Sequence, residues 1–179
     1  MSILLTGGDG YIGWPTALRL ASQTDDRVVM IDNFARRSWV EEIGSISAQP
    51  VVSMDERVTA ARRVHGLQNL SFVEGDLTDR EFVDEILQVH EPEVIVHTAA
   101  QPSAPYSQIN GERANYTQHN NMQATRNLAF GLYENNLTET HLIETTTTGV
   151  YGAPEFRIPE GGAVMENDGE RDEVPFPAM

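Results

Sequence analysis

The sequence predicts an α/β fold of the doubly wound type, in which helices cover both faces of a parallel sheet. Three observations predict it. Short apolar segments alternate with amphipathic ones, a glycine-rich stretch separates the first strand from the first helix, and an acidic residue ends the second strand. Strands that alternate with helices in this way form βαβ units, in which the strands lie parallel.

The predicted elements follow one another along the first 150 residues or so. Strands are predicted over residues 2–6, 27–33, 70–77, 93–100 and 141–148, which are short apolar or β-branched runs. Helices are predicted over residues 11–22, 53–64, 78–89 and from a little after Arg113 to residue 136. Ser53 and Glu56 have the spacing of a capping box, which marks a helix start. Residues 34–53 are predicted to be an irregular connection.

The composition limits the classes of partner and compartment. The chain has 179 residues, no cysteine and a formal net charge of −15, and all twelve basic residues are arginine. Such an acidic surface disfavours nucleic acids and anionic membranes as partners. No apolar run approaches the ~18 residues of a membrane span. The N-terminus lacks the basic region of a secretory signal, so a cytoplasmic location is predicted.

The excess of acidic residues fits two kinds of host. One is a salt-rich cytoplasm, in which an acidic surface keeps a protein soluble, and the other is an ordinary cell with an acidic protein. We favour a halophilic host, because the loss of every lysine is hard to explain by chance. No metal site is predicted, since there is no cysteine and the histidines are scattered. His97, at the end of a buried strand, is expected to be structural.

The stretch LLTGGDGYIGWPTAL has the glycine spacing of a dinucleotide-binding loop. Gly7, Gly10 and Gly13 form a Gly-x-x-Gly-x-x-Gly pattern between a predicted strand and a predicted helix. Glycine permits the tight turn, lets the backbone approach a pyrophosphate and brings helix close to strand. The free N–H groups and positive dipole end of the helix attract phosphates. The loop therefore predicts a nucleotide-binding domain of the Rossmann type.

Asp32 ends the second predicted strand, about twenty residues beyond the glycine loop, where a carboxylate accepts hydrogen bonds from ribose hydroxyls. A carboxylate there repels a 2′-phosphate, so NAD is predicted rather than NADP. Arg36 and Arg37 keep NADP open as an alternative, since an arginine at this place is able to hold the phosphate.

The segment GDLTD follows the third predicted strand, where a strand end meets an adenine pocket. Asp76 is placed to accept from the exocyclic amine, and Leu77 is placed to pack on the ring. The alternative is an ordinary helix start with Thr78 or Asp79 as the N-cap residue. The two interpretations are compatible, because one residue can cap while Asp76 binds.

These residues resemble the extended short-chain dehydrogenase/reductase family of NAD-dependent epimerases and dehydratases. The segments TGGDGYIG, DN, GDLTD, HTAAQ, NNMQATRNL and TTTTGVYG occur in the family's order and spacing. The segments GGDGYIGWPTALRL, DNFARRS, SAPYS and YTQHNN are similar to one branch, the UDP-sulfoquinovose synthases. Most extended members have a small residue in place of Asp9 and lack Trp14. The similarity extends from about Gly7 to the chain end.

The resemblance implies a permanently bound NAD that is used twice on a UDP-sugar. In such enzymes a tyrosinate removes the proton of the sugar 4-OH as hydride leaves C4, and the 4-ketone acidifies the neighbouring C–H. In the sulfoquinovose branch water is lost across C5–C6 of UDP-glucose, sulfite adds at C6, and hydride returns to C4. The catalytic set is Ser or Thr and then Tyr-x-x-x-Lys, whose lysine lowers the pKa of the tyrosine.

Only the first member of that set is present, and the spacing to VYG places it on Thr147. No tyrosine is followed four residues later by lysine, and Tyr151 belongs to the VYG segment. We expect residues 1–152 to be the NAD-binding Rossmann domain and residues 153–179 to be a loop-rich acidic segment leading to the missing Tyr-x-x-x-Lys and substrate region. The sheet is then incomplete, and the chain is expected to be an inactive N-terminal portion of a longer enzyme.

The resemblance also implies residues that contact cofactor and substrate. The implied cofactor contacts are Gly7, Gly10, Tyr11, Ile12, Gly13, Asp32, Asn33, Arg36, Asp76, Leu77 and Asn121. Asn121 is expected to hold a water or a backbone group behind the active site, the alternative being a surface asparagine. Gln101 and Ser103 are implied substrate contacts. Pro102 stands where the branch has an arginine suited to sulfite, which weakens the sulfite assignment.

Two alternative functions stay open, and the apolar residues of the long helix have two possible roles. Another UDP-sugar 4-epimerase or dehydratase is one alternative, although dehydratases usually place an acidic pair where Thr148 and Gly149 stand. A non-catalytic NAD-binding module is the other, if the chain is complete. A homodimer is expected through the long helix, but its apolar residues fit an internal core equally well; these are Met122, Leu128 and Leu132.

The four consecutive threonines at residues 145–148 are predicted to continue the fifth strand. Neighbouring strand residues point to opposite faces, so Thr145 and Thr147 share one face. Only Thr147 is expected to hydrogen-bond the sugar 4-OH, and the others are expected to serve strand packing and local hydrogen bonding.

Overall fold

The computed structural model describes residues 1–102, 105–146, 162–167 and 170–175, the last two ranges through their backbone. The strands are β1 Ser2–Thr6, β2 Arg27–Asp32, β3 Leu70–Glu74, β4 Val94–His97, β5 His141–Glu144, β6 Gly162–Asn167 and β7 Glu170–Pro175. The helices are α1 Gly13–Gln23, α2 Ala35–Glu42, α3 Met54–His65, α4 Arg80–His90 and α5 Gly111–Glu134, with a 3₁₀ turn at Tyr106–Gln108. The chain divides into two compact units, Met1–Thr145 and Thr146–Met179.

The first unit is a five-stranded sheet in the order β3-β2-β1-β4-β5, with every adjacent pair parallel. The chain runs outward from β1 to β3 and then crosses to the other side of β1 to form β4 and β5. This reversal is the topological switch point of a doubly wound sheet, and ligands bind at the strand carboxyl ends beside it. The α/β prediction with a doubly wound parallel sheet is therefore confirmed.

The core has two layers, because successive strand residues point to opposite faces. Ile3 and Leu5 pack with α1 and α3 on one face, whereas Leu4 packs with α4 and α5 on the other. The central strand β1 is buried along its whole length, as expected for a parallel strand covered on both sides. In the part of the chain that the structure describes, no helix is long and apolar enough to cross a membrane.

Side chains at the helix starts agree with the sequence in two of three cases. Ser53 and Glu56 form the predicted capping box of α3, and Asp79 accepts from the N–H groups of Glu81 and Phe82 at the start of α4. The long helix α5 begins earlier than predicted, at Gly111, because Asn110 caps it by accepting from Arg113 N–H at 2.9 Å.

Residues 34–53 are not wholly irregular, so that prediction is wrong for α2. None of the residues of α2 is buried, which is why a periodic apolar pattern is missing from its sequence. The helix is instead attached by Trp39, whose ring lies 5.9 Å from that of Tyr106 and 5.8 Å from that of Tyr116, between centroids. These contacts join α2 to the 3₁₀ turn and to α5, and they are decided by tertiary structure.

Strands β3, β4 and β5 end before the predicted limits. Gly7 has φ 78° and turns the chain away directly after β1, so β4 loses its β1 partner beyond His97. The last paired residues of β4 and β5 are His97 and Glu144. Thr145 and Thr146 are described but lie outside the strand, which corrects the prediction that the threonine run continues β5.

Strands β6 and β7 pair in antiparallel orientation, from Gly162 with Pro175 to Asn167 with Glu170. Within the segment predicted to be loop-rich, the residues of β6 and β7 are strands instead. Acidic side chains and proline weaken the strand signal in the sequence, but proline is tolerated at a strand end.

Candidate functional site

The glycine loop lies at the switch point between β1 and β4. The N–H groups of Gly7 and Gly8 donate to the Ile31 carbonyl at 2.8 and 3.0 Å, which ties the loop to the end of β2. A Cβ atom on Gly7 would lie 2.8 Å from Thr98 Oγ1, so the loop also contacts the chain after β4. The loop is therefore held between the ends of three neighbouring strands.

Two further glycines allow the loop and α1 to pack closely. Gly10 N–H donates to the Gly7 carbonyl at 3.0 Å, which closes a tight turn. A Cβ atom on Gly13 would overlap that same carbonyl oxygen. Only a residue without a side chain fits at Gly13, as the dinucleotide-binding pattern requires.

The N-terminus of α1 is open for an anion. Its N-cap residue is Ile12, whose side chain has no hydrogen-bonding group, and both Tyr11 and Ile12 are exposed. The first N–H groups of the helix therefore receive no bond from an N-cap side chain. Trp14 N–H donates to the Gly10 carbonyl at 3.2 Å, and Pro15 has no N–H. The positive dipole end of α1 and the backbone N–H groups before Trp14 therefore suit a pyrophosphate, which is the group that the glycine pattern predicts there.

Asp32 lies beside the loop, at the end of β2. Its carboxylate accepts from Asp9 N–H at 3.0 Å and from Phe34 N–H at 2.8 Å. Burial raises the pKa of Asp32, and these two N–H groups oppose the shift. Each oxygen accepts one protein hydrogen bond and keeps a lone pair, so the pair of oxygens is able to accept ribose hydroxyls.

The Asp9 carboxylate forms ion pairs with two arginines, Arg37 and Arg57, which the sequence did not predict. Arg37 binds its carboxylate in a bidentate manner, with two N–O distances of 2.8 Å, and Arg57 lies 2.7 Å from Oδ1. The Arg57 guanidinium also lies 4.0 Å above the Trp14 ring centroid. Arg36 is exposed, so of the two arginines considered for a 2′-phosphate only Arg36 lies free of this group of charges.

Asp76 and Leu77 differ in their availability to an adenine ring. Asp76 accepts from the N–H and hydroxyl groups of Thr78 and from Asn33 Nδ2. Burial opposes its ionisation, but these hydrogen bonds outweigh burial and lower its pKa. Leu77 is buried in the core layer under α4 and α5, so its side chain does not form an open surface for the ring.

The Asp76 loop is also held from α5 by Asn127, a residue that the sequence reading missed. The Asn127 amide is buried and donates to the carbonyls of Leu77 and Thr78 at 2.8 and 3.0 Å. The sequence did contain a signal for this contact, because Asn127 is a polar residue among the apolar residues that α5 presents to the core.

Asn121 lies on α5 and contacts the chain segment that follows β4. Its amide accepts from Gln101 N–H at 2.8 Å and donates to the Gln101 carbonyl at 3.0 Å. Asn121 therefore holds a backbone group of the segment after β4, and its place behind an active site stays a prediction. Gln101 itself is buried, and its side-chain oxygen accepts from Thr117 at 3.0 Å, which directs that oxygen toward α5.

His97 is a structural residue, as expected. It is buried, with Nδ1 2.7 Å from Thr6 Oγ1 and Nε2 3.3 Å from Thr125 Oγ1. Burial lowers the pKa of His97, although the Glu144 carboxylate acts in the opposite direction. Among the described residues, no group of three or more acidic or histidine side chains is arranged to hold a metal ion.

Two predicted site residues, Ser103 and Thr147, lie outside the described residues, and so does Tyr151. At the start of the threonine run, the N–H and hydroxyl groups of Thr145 both approach the His97 carbonyl, at 3.1 and 3.3 Å. This contact ties the start of the run to the end of β4.

The three apolar residues of α5 that the sequence singled out lie on different faces of the helix. Leu128 and Leu132 lie in the core, whereas Met122 is 72% exposed. Phe130 and Tyr133 are exposed as well. The outer face of α5 therefore carries apolar side chains that no described residue covers.

The sequence model of the NAD dependent epimerase/dehydratase family matches residues 3–172. The chain belongs to this family. Because the family is NAD dependent, the predicted cofactor is confirmed, and the glycine loop, α1 and Asp32 have the arrangement that such a dinucleotide requires.

Among curated proteins, the chain is 39% identical over 177 residues to the chloroplastic UDP-sulfoquinovose synthase of Spinacia oleracea, which covers 98% of this chain and 36% of that protein. It is 40% identical over 178 residues to the UDP-sulfoquinovose synthase of Sulfolobus acidocaldarius, covering 99% and 44%. The UDP-glucose 4-epimerase of Drosophila melanogaster is 27% identical over 158 residues, covering 87% and 39%. The chain thus spans less than half the length of these relatives.

Solved structures share the fold. The UDP-glucose 4-epimerase of Stenotrophomonas maltophila is 24% identical with a TM-score of 0.64, over 87% of this chain and 40% of that one. The UDP-glucose 4-epimerase of Brucella ovis is 23% identical with a TM-score of 0.60, over 97% and 42%.

Proposed function

We propose that the chain is the NAD-binding part of a nucleotide-sugar-modifying enzyme that converts UDP-glucose and sulfite to UDP-sulfoquinovose. The observation that carries the NAD-binding role is the Asp32 carboxylate, which lies beside an open α1 N-terminus at the switch point of the sheet. The enzyme class is supported by the match to the NAD dependent epimerase/dehydratase family. The branch is supported by identities of 39% and 40% to two UDP-sulfoquinovose synthases, against 27% to a UDP-glucose 4-epimerase.

The proposed cofactor contacts follow the geometry with two changes of role. The α1 N-terminus, with Gly10, Tyr11 and Ile12, would face the pyrophosphate, and Asp32 would bind the ribose. Asp76 keeps the adenine role, since its carboxylate faces solvent in part. Leu77 would support the pocket from the core, and Arg36 would contact the cofactor from the exposed side of α2. Asn33 would position Asp76 through their 2.9 Å hydrogen bond.

The proposed substrate side of the site lies after β4 and β5. Thr147 would donate or accept a hydrogen bond at the sugar 4-OH and so orient it. Ser103 would contact the substrate, whereas Gln101 would act by positioning, because Thr117 and Asn121 hold both its side chain and its backbone. Bound NAD supplies a hydride acceptor at the sugar C4, and a tyrosinate base beyond residue 179 would take the hydroxyl proton.

At Pro102 the chain lacks the arginine that the branch has for an anion such as sulfite. This favours a UDP-sugar 4-epimerase as the second candidate. Residues 1–152 would form the NAD-binding domain and residues 153–179 the approach to the substrate region. A homodimer would use the exposed apolar residues of α5. The cytoplasmic location and the halophilic host stay predictions.

The test uses the full-length gene product with UDP-glucose, with and without sulfite, and identifies the products by mass spectrometry. We expect a sulfonated UDP-sugar only when sulfite is present. Thr147→Ala is expected to lower kcat by about 100-fold, the effect of losing one preorganised hydrogen bond at a reacting oxygen. Thr138→Ala, at an exposed turn, is the matched control and should retain activity.

Each other outcome assigns a different function. Epimerised sugar without sulfonate, in the presence of sulfite, selects the 4-epimerase. Tight NAD binding without turnover of either kind selects the non-catalytic binding module. A full-length product without a Tyr-x-x-x-Lys segment would select the same module.

A further inference from the structure

We infer that Asp9 is a second determinant of cofactor choice, a positioning residue that keeps the guanidinium groups of Arg37 and Arg57 away from a 2′-phosphate. The inference rests on the proposed NAD site and concerns which dinucleotide that site accepts. It assigns a purpose to a buried carboxylate that the ribose, pyrophosphate and adenine contacts leave unused.

The first observation is that Asp9 is directly connected to the ribose-binding carboxylate. Its N–H donates to Asp32 Oδ2 at 3.0 Å, so the backbone of Asp9 lies against the place where ribose hydroxyls bind. Its own carboxylate is only 8% exposed and accepts three charge-assisted hydrogen bonds from Arg37 and Arg57. The two arginines are thus held next to Asp32 by a neighbour in the loop.

The second observation is that both arginines are well placed to bind an anion if Asp9 did not hold them. The Arg37 side chain is 37% exposed and the Arg57 side chain 15% exposed, so Arg37 is the more accessible. The planar guanidinium group binds carboxylates and phosphates by the same pair of parallel N–H donors. A carboxylate that occupies those donors therefore competes directly with a phosphate.

The third observation concerns charge. Asp9, Asp32, Arg37 and Arg57 together have two negative and two positive groups, so the site is neutral. A 2′-phosphate would add about two negative charges to this neutral group, next to a partly buried Asp32. NADP enzymes place an unpaired arginine near the ribose for this phosphate. Here Asp9 occupies Arg37 and Arg57, whereas the exposed Arg36 lies outside this group of charges.

Two packing contacts keep the arginines in place when the partner changes. Arg57 stacks on Trp14 at 4.0 Å, and Arg37 lies 5.0 Å from the Phe34 ring centroid. A variant that removes the Asp9 charge should therefore leave both guanidinium groups near the ribose site instead of releasing them into solvent. In the wild-type protein, the Asp9 carboxylate occupies the guanidinium groups that would bind the phosphate, and the Asp32 carboxylate would repel the phosphate.

The experiment compares four full-length proteins: wild type, Asp9→Asn, Asp32→Asn and the double variant. Dissociation constants for NADH and NADPH are measured by fluorescence titration, and thermal shifts are measured with 2′,5′-ADP and with ADP. Asparagine keeps the size of the side chain and the loop backbone. Glu134→Gln, which alters an exposed ion pair with Arg80, is the control and should change neither dissociation constant.

We expect wild type to favour NADH and Asp32→Asn to lose part of that preference. The double variant should bind NADPH at least about tenfold better, relative to NADH, than Asp32→Asn does, as one charge-assisted hydrogen bond gained would give. Adding Arg37→Gln to the double variant should remove the gain. The 2′,5′-ADP thermal shift should follow the same order.

Two results overturn the inference. One is an equal NADPH to NADH ratio in Asp32→Asn and the double variant. The other is an equal loss of both dinucleotides in every Asp9 variant, which would mean that Asp9 only holds the loop together. If folded wild type binds neither dinucleotide, the proposed NAD site itself is wrong, and this result is distinct from the other two.

Discussion

The amide of Asn121 forms a two-point contact with the backbone of Gln101, accepting from its N–H at 2.8 Å and donating to its carbonyl at 3.0 Å. A side chain on α5 thereby pairs with both backbone groups of Gln101, as the backbone of a neighbouring strand would. The predicted substrate segment begins at Gln101, so this contact fixes where that segment starts.

Asn121→Asp should weaken this contact, because a carboxylate cannot donate to the Gln101 carbonyl. We expect a loss of about 1–3 kcal/mol in the free energy of unfolding, the usual cost of an unsatisfied buried group. We also expect a fall in kcat larger than the change in NAD affinity. Chemical denaturation and steady-state kinetics measure both, with Asn115→Asp on the exposed face of α5 as control. Equal effects in the two variants would contradict the assigned role.

Gly13→Ala tests the close approach of α1 to the loop. The new Cβ atom would overlap the Gly7 carbonyl oxygen, so the loop must move or the helix must shift. We expect NADH affinity to fall by at least about tenfold, because a displacement of the N–H groups that face the pyrophosphate weakens each of them. Fluorescence titration measures this.

Gly111→Ala is the matched control for Gly13→Ala. Gly111 is also the first residue of a helix, but a Cβ atom there meets no atom within 4 Å. This variant should bind NADH as wild type does. A folded Gly13→Ala protein with unchanged NADH affinity would show that the loop does not contact the cofactor.

His97 should make the stability depend on pH. Burial lowers the pKa of His97, so the unfolded state, with a histidine pKa of about 6.5, binds more protons as the pH falls. The free energy of unfolding should therefore rise from about pH 5 to pH 7, by up to about 1.4 kcal/mol per pH unit for one proton. Urea unfolding at several pH values measures the slope.

His97→Gln should flatten that slope, because glutamine does not titrate. His90 is the comparison, since burial also lowers its pKa, with the charge of Arg27 as a second cause. His90→Gln should remove only its own part of the slope. An unchanged slope in His97→Gln would mean that the ring is not kept neutral by burial.

Asn127→Ala should weaken the attachment of the Asp76–Thr78 loop to α5. The substitution removes both donors to the Leu77 and Thr78 carbonyls, and we expect unfolding to become easier by about 1–3 kcal/mol. Affinity for adenine-containing ligands such as ADP should fall with it. Gln118→Ala, exposed on the same helix, is the control. If the variant loses stability but keeps its affinity for ADP, Asn127 has only a structural role and does not support the binding site.

Local sequence patterns predicted the elements with strong signals. The apolar strand β1 has the predicted limits, and the Ser53–Glu56 capping box lies where the spacing places it. Both depend on neighbours within a few residues, so the sequence contains the information. Helix α2 was missed because Trp39 packs on Tyr106 and Tyr116, which are far away in the chain.

The candidate site divides in the same way. Glycine spacing and an acid at a strand end identified Gly7, Gly13 and Asp32 from the sequence alone, because the backbone demands of a phosphate loop are local. Position alone did not reveal that Arg37 is bound to Asp9, since the two are 28 residues apart, and Arg57 is 48 residues from Asp9.

The sequence by itself determined the alternating order of strands and helices, the glycine loop and the acidic residue that ends β2, because each is specified by residue type within short segments. Only the tertiary structure decided which arginines are free, that Leu77 is buried, and that Asn121 and Asn127 hold two loops from α5. Those outcomes depend on which strand ends meet at the edge of the sheet. Asp9, Asn121 and Asn127 acquire their side-chain partners only when the fold brings distant segments together.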